Sequence, residues 1–279
     1  MFDLISILIF FVGTAIGSFL GVIVDRTPSG ESIWKGRSHC DHCRHKLHPL
    51  DLIPIVSFVI LDKKCRYCHK KLSWFFPAIE AMTGFALLLV AALVFDQSLM
   101  RFLDLNYIFI FLFYSIINCI LIVIFFIDLR YGIIPFKHVL SASIVTLLWY
   151  MLIPTLYLSQ NELLMLGLQT DIVSGILAGI GAGLFFFAIF FFTKGRGMGF
   201  GDVVYAFLMG FVLGFPNVLL GLYIAFVTGA VAALALVATK KKKLKGDTIP
   251  FGPFLVLGTI ISMLWGDTII EIVMRYLYL

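Results

Sequence analysis

Residues 106–128 read NYIFIFLFYSIINCILIVIFFID. No charged side chain interrupts the stretch before Asp128, and it is longer than the roughly 20 apolar residues a helix needs to cross a bilayer core. Backbone amides in hydrocarbon must be paired within the segment, so the stretch predicts a helix. Similar runs lie near 2–24, 76–95, 134–153, 172–193, 202–215, 217–238 and 250–265. The run at 202–215 is short, and the last is open to continuation through Gly266-Asp267 toward Leu279 as a bent helix or an interfacial piece. The predicted class is an all-α polytopic membrane protein with about eight transmembrane helices.

Composition points the same way. Apolar residues make up 61% of the chain, charged residues 13%, and the mean hydropathy is +1.04. Soluble domains carry about 25% charged residues, so a single large soluble domain is excluded. The first run lacks the basic residues that precede a signal peptide's apolar core; Arg26 follows it instead, which predicts a retained helix.

Charge sets the orientation. With eight spans, 19 of the 21 basic residues fall on the first, third, fifth and seventh connections, leaving only Arg101 and Arg275 opposite. The positive-inside bias places those connections in the cytoplasm and both termini outside. The pI near 8.9 is thereby a topology signal and calls for no nucleic-acid partner. The same loops are suited to contact anionic membrane lipid.

The large first connection holds Cys40-Asp-His-Cys43 and Cys65-Arg-Tyr-Cys68, two C-x-x-C knuckles 21 residues apart. Two such turns aim four thiolates at one point, the ligand set of a structural zinc, with no position left for a catalytic water. Two disulfides are the alternative, and a reduced cytoplasmic loop argues against them. A loop this poor in large apolar residues draws its order from the metal. Cys119, alone in the third span, reads as a packed apolar residue.

Ionisable groups at membrane depth are functional candidates. Asp128 closes the third span, and Asp202, after Gly197-Met-Gly199-Phe-Gly201, opens the sixth, so both predict to one depth on one face. Such a pair can share a proton: one carboxylate activates water while the other protonates a scissile carbonyl. Gly199 and Gly201 would let an extended substrate strand come close. An ordinary interfacial role stays open for each, with Asp202 as a helix cap. So does proton or ion relay in a transporter. Glu80 has two candidate surroundings, the cavity of the aspartates or the cysteine loop.

These residues together resemble the bacterial prepilin peptidases, or type IV leader peptidases, which are GxGD-type membrane aspartyl proteases. The resemblance runs through Gly17-Ser-Phe-Leu20, Arg26-Thr-Pro28, Arg37-Ser-His-Cys40 with the knuckles, and Ile53-Pro-Ile-Val-Ser57. It continues through Asp128 with Ile134-Pro135, Gly199-Phe-Gly201-Asp202, and Pro250-Phe-Gly-Pro-Phe254. It implies Asp128 and Asp202 as the catalytic pair. The implied activity is removal of basic leaders from prepilins or pseudopilins at the cytoplasmic face of the bacterial inner membrane. Many members also methylate the new N-terminus from S-adenosylmethionine, although no G-x-G-x-x-G follows a strand here. The chain departs from the family pattern at Gly21, Phe136 and Val204. The expected division is a first helix at 1–24, a zinc loop at 25–75 and a transmembrane peptidase core at 76–279.

Overall fold

The computed structural model describes residues 2–33, 36, 38–40, 42–95, 103–156, 171–239 and 249–277. Lys35, Arg37, Arg101 and the lysines between 240 and 245 lie outside these. Nine α-helices and no β-strand occur among the described residues: α1 (Phe2–Ser29), α2 (Val56–Ile60), α3 (Phe75–Phe95), α4 (Leu105–Tyr131), α5 (Phe136–Leu152), α6 (Ile172–Phe192), α7 (Phe200–Leu213), α8 (Asn217–Ala238) and α9 (Gly252–Leu277). All eight runs read from the sequence are helical. Six of these helices are long and apolar enough to cross a membrane; α5 and α7 are shorter apolar helices.

α1 runs past the end expected of it, and α9 takes the continuation that the sequence left open. α1 continues to Ser29 with Pro28 in its last turn, where the ring removes one amide-to-carbonyl bond close to the helix end; Gly30, at φ +70°, then ends it. α9 continues without a break through Gly266-Asp267 to Leu277. Asp267 there accepts a 2.8 Å hydrogen bond from Asn217, and Ser262 donates to the Asn217 carbonyl at 2.6 Å, so α8 shields the polar interruption.

The chain forms two compact units, Met1–Phe126 and Ile127–Leu279, divided within α4. In the first, α1 lies against α3 along a seam of glycines four residues apart. A Cβ on Gly13 would stand 2.8 Å from Gly84 Cα, one on Gly17 2.7 Å from Glu80 Cα, and one on Gly21 3.1 Å from the Phe76 ring. Gly21, a departure from the family pattern, thus extends a small-residue interface of the kind that lets membrane helices approach.

In the second unit α6 packs on α7, and α8 on α9. Gly179 of α6 faces the Phe207 carbonyl of α7, where a Cβ would come within 2.9 Å. The Tyr150 hydroxyl of α5 donates to the Phe211 carbonyl of α7 at 2.7 Å, and the buried Tyr205 hydroxyl pairs with Thr259 of α9 at 3.0 Å. α7 is thereby held by α5, α6 and α9, which fixes the helix that begins at Asp202.

Candidate active site

Asp128 sits in the last turn of α4, which ends where the Gly132 amide donates to the Asp128 carbonyl at 2.8 Å and Gly132 takes φ +67°. The chain then extends through Ile134-Pro135 into α5. Asp202 is the third residue of α7, and its Oδ2 accepts the Gly199 amide at 3.1 Å. This is the carboxylate arm of a capping box, on a helix end whose free amides favour negative charge.

Both side chains are buried: Asp128 is 5% exposed and Asp202 9%. They are close enough for their charges to interact. Asp128 Oδ2 has no hydrogen-bond partner among the described residues, and the Gly252 amide at the start of α9 faces its carboxyl group. The structure therefore brings Asp128, Asp202 and Gly199 together. Gly201 faces inward, where a Cβ would stand 3.1 Å from Ile134 Cβ. The sequence reading did not single out Gly252 for its own contact; its only signal was the Pro250-Phe-Gly-Pro-Phe254 segment.

The cysteine cluster belongs to the first unit. The Sγ atoms of Cys40, Cys43, Cys65 and Cys68 all lie within 4.8 Å of one another, with Cys40 and Cys68 at 3.9 Å. Tetrahedral zinc with Zn–S bonds near 2.3 Å requires S···S separations of about 3.8 Å, so the set fits a zinc knuckle. The two turns share one construction. The Arg44 amide donates to the Cys40 carbonyl at 2.8 Å, and the His69 amide to that of Cys65 at 2.9 Å. Arg44 and His69 take φ of 56° and 54°.

Burial opposes the Cys65 thiolate, but the Cys68 and Tyr67 amides and the Cys40 and Cys68 thiols outweigh it and bring the thiol to about 7. Burial likewise opposes the Asp51 carboxylate, yet its 2.7 Å pair with Arg66 and the His48 amide hold it below the ordinary carboxylate range. The His45 and Tyr67 rings meet at a 34° tilt with centroids 3.8 Å apart, joining the knuckles. Glu80 of α3 accepts the Ile55 amide at 2.7 Å, which resolves its surroundings in favour of the cysteine loop.

Fold and site together define a polytopic membrane peptidase. Residues 11–94 match the bacterial peptidase A24 N-terminal domain, and residues 115–234 match the type IV leader peptidase family. The chain is 31% identical over 276 residues to the type 4 prepilin-like proteins leader peptide-processing enzyme of Escherichia coli, covering 90% of each chain. It is 29% identical to a prepilin leader peptidase/N-methyltransferase of Bacillus subtilis, over 95% of this chain and 96% of that one. A protein of the same name from Aeromonas hydrophila is also 29% identical, over 94% of this chain and 91% of its own. No solved structure matches. The chain belongs to the type IV leader peptidase family.

Proposed function

We propose that the chain removes basic leader peptides from prepilins or pseudopilins at the cytoplasmic face of the bacterial inner membrane, using Asp128 and Asp202 as an aspartyl dyad. The observation that carries this reading is the pair of buried carboxylates, brought from two helix ends to one place. Asp202 lies at a helix N-terminus with the Gly199 amide on its oxygen, where a negative charge is favoured. Asp128 lies at a helix C-terminus, where it is not.

Asp202 accordingly takes the proton of water as its oxygen bonds to the scissile carbonyl carbon, and Asp128 gives its proton to the carbonyl oxygen. In the next step the C–N bond breaks, the amine leaves with a proton from Asp202, and the diol returns one to Asp128. Gly199 offers the extended substrate an approach without a side chain in the way.

Cys40, Cys43, Cys65 and Cys68 would fill every position of a tetrahedral zinc, which would order the loop and leave no site for a catalytic water. The relatives' second name, N-methyltransferase, supports a further step here, with S-adenosylmethionine supplying an electrophilic methyl to the new N-terminal amine. A cavity of about 640 Å³ in the first unit, lined by Asp25, Arg26, Phe76 and Glu80 among others, is within the usual size of small-molecule sites.

The test is co-expression with a substrate that has a short basic leader, a glycine and a long apolar helix. Asp128→Asn and Asp202→Asn should each leave the substrate full-length on a gel while inserting normally. Complete processing by either variant overturns the dyad.

A further inference from the structure

Gly252 opens α9 where the structure leaves no room for a side chain beside Asp128. A Cβ there would stand 2.5 Å from Asp128 Oδ2 and 2.9 Å from its Cγ. That oxygen is buried and has no hydrogen-bond partner among the described residues. On its other side the same Cβ would lie 3.2 Å from Ile134 Cδ1, while a Cβ on Gly201 would lie 3.1 Å from Ile134 Cβ. Ile134 is therefore wedged between the glycine that precedes Asp202 and the glycine that faces Asp128.

The neighbour of Gly252 is anchored as well. The Phe251 ring lies 5.3 Å from that of Phe226 and 6.3 Å from that of Phe186, and Gly229 leaves the space it fills. An aromatic cluster on α6 and α8 thus fixes where the α9 backbone begins. The start of α9, the α4–α5 link and the start of α7 meet at a single isoleucine.

We infer that Gly252, with Ile134 as its spacer, is a positioning residue that keeps Asp128 Oδ2 open to the reacting water or carbonyl and sets the separation of the two carboxylates. This rests on the aspartyl reading above. A methyl at Gly252 takes the place of the approaching atom or turns the carboxylate away from it. Removal of the Ile134 side chain lets the starts of α7 and α9 move together and loosens the same geometry.

Gly252→Ala should lower kcat about 10²-fold, the scale set by displacements near 1 Å in an active site. KM should stay within roughly twofold, because the chemical step is lost and binding is not. The pH–rate profile of the remaining activity should move, since the changed carboxylate is one of the coupled pair whose titration the profile reports; looser helix packing would not move it. Gly181→Ala, at a helical glycine with open space around it, should match wild type.

Ile134→Ala provides a second measurement if Gly252→Ala inserts poorly: kcat should fall about tenfold with KM retained. A Gly252→Ala enzyme with wild-type kcat and profile overturns the inference, as does an unaffected Ile134→Ala enzyme. Asp128→Asn separates the two failures. If that variant is inactive while Gly252→Ala is normal, only the positioning role falls; if it is active, the dyad falls first.

Discussion

Gly199 and Gly201 stand two residues apart and meet different surroundings. A Cβ on Gly199 would find its nearest atom, Asp202 Oδ2, at an ordinary 3.7 Å, whereas one on Gly201 would press on Ile134 at 3.1 Å. The fold therefore has room for a methyl at Gly199, and under the proposed function a penalty there would come from substrate. Gly199→Ala is expected to insert and fold normally, with KM raised roughly tenfold, as for one misplaced methylene, and kcat little changed. Steady-state kinetics on a leader-bearing peptide in detergent checks this, and an unchanged KM removes Gly199 from the substrate site. The aspartates could be picked out from sequence because a carboxylate bordering an uninterrupted apolar run is conspicuous. Gly252 could not, because its neighbour Asp128 arrives from a helix far away in the chain.

At the scale of elements, the cysteine loop was the most legible part of the chain, and its ties to the helices the least. Two C-x-x-C turns announce their own geometry, since spacing alone brings each sulfur pair to one side of a tight turn. The ties around them are tertiary: Glu80 reaches the Ile55 amide from a membrane helix, and Asp51 holds Arg66 across the loop. If the metal orders this loop, Cys65→Ser should lose it, and trypsin should then cut rapidly among the loop's many lysines and arginines. Cys119→Ser, in α4, should keep roughly one zinc per chain in elemental analysis, the complement of one tetrahedral site. A metal-free wild-type preparation with a trypsin-resistant loop would remove zinc from the account.

For the whole molecule, helix length and charge bear on sidedness. α7 has 14 residues and α5 has 17, or about 21 and 25 Å at 1.5 Å per residue, against a hydrocarbon core near 30 Å. Both helices begin at the end of the second unit that holds Asp128 and Asp202. Under the proposed function, a shortfall of roughly 5–10 Å would let those carboxylates lie beneath the membrane surface within reach of water. The apolar runs reported eight of the nine described helices, all but the five-residue α2, but two ends were blurred: α1 runs on through Arg26, which donates to the Ser32 carbonyl, and α9 through Asp267, which Asn217 of α8 satisfies. Orientation rests on the basic residues, of which Lys137, exposed at the start of α5, belongs to the aspartate end. Leu103, 77% exposed before α4, belongs to the opposite connection. In a Cys119→Ser background, Leu103→Cys should react with a membrane-impermeant maleimide on intact spheroplasts. Lys137→Cys should react only after permeabilisation, because the basic connections are retained in the cytoplasm during insertion. The reverse labelling pattern would put the dyad on the outer face, where a leader held in the cytoplasm could not reach it.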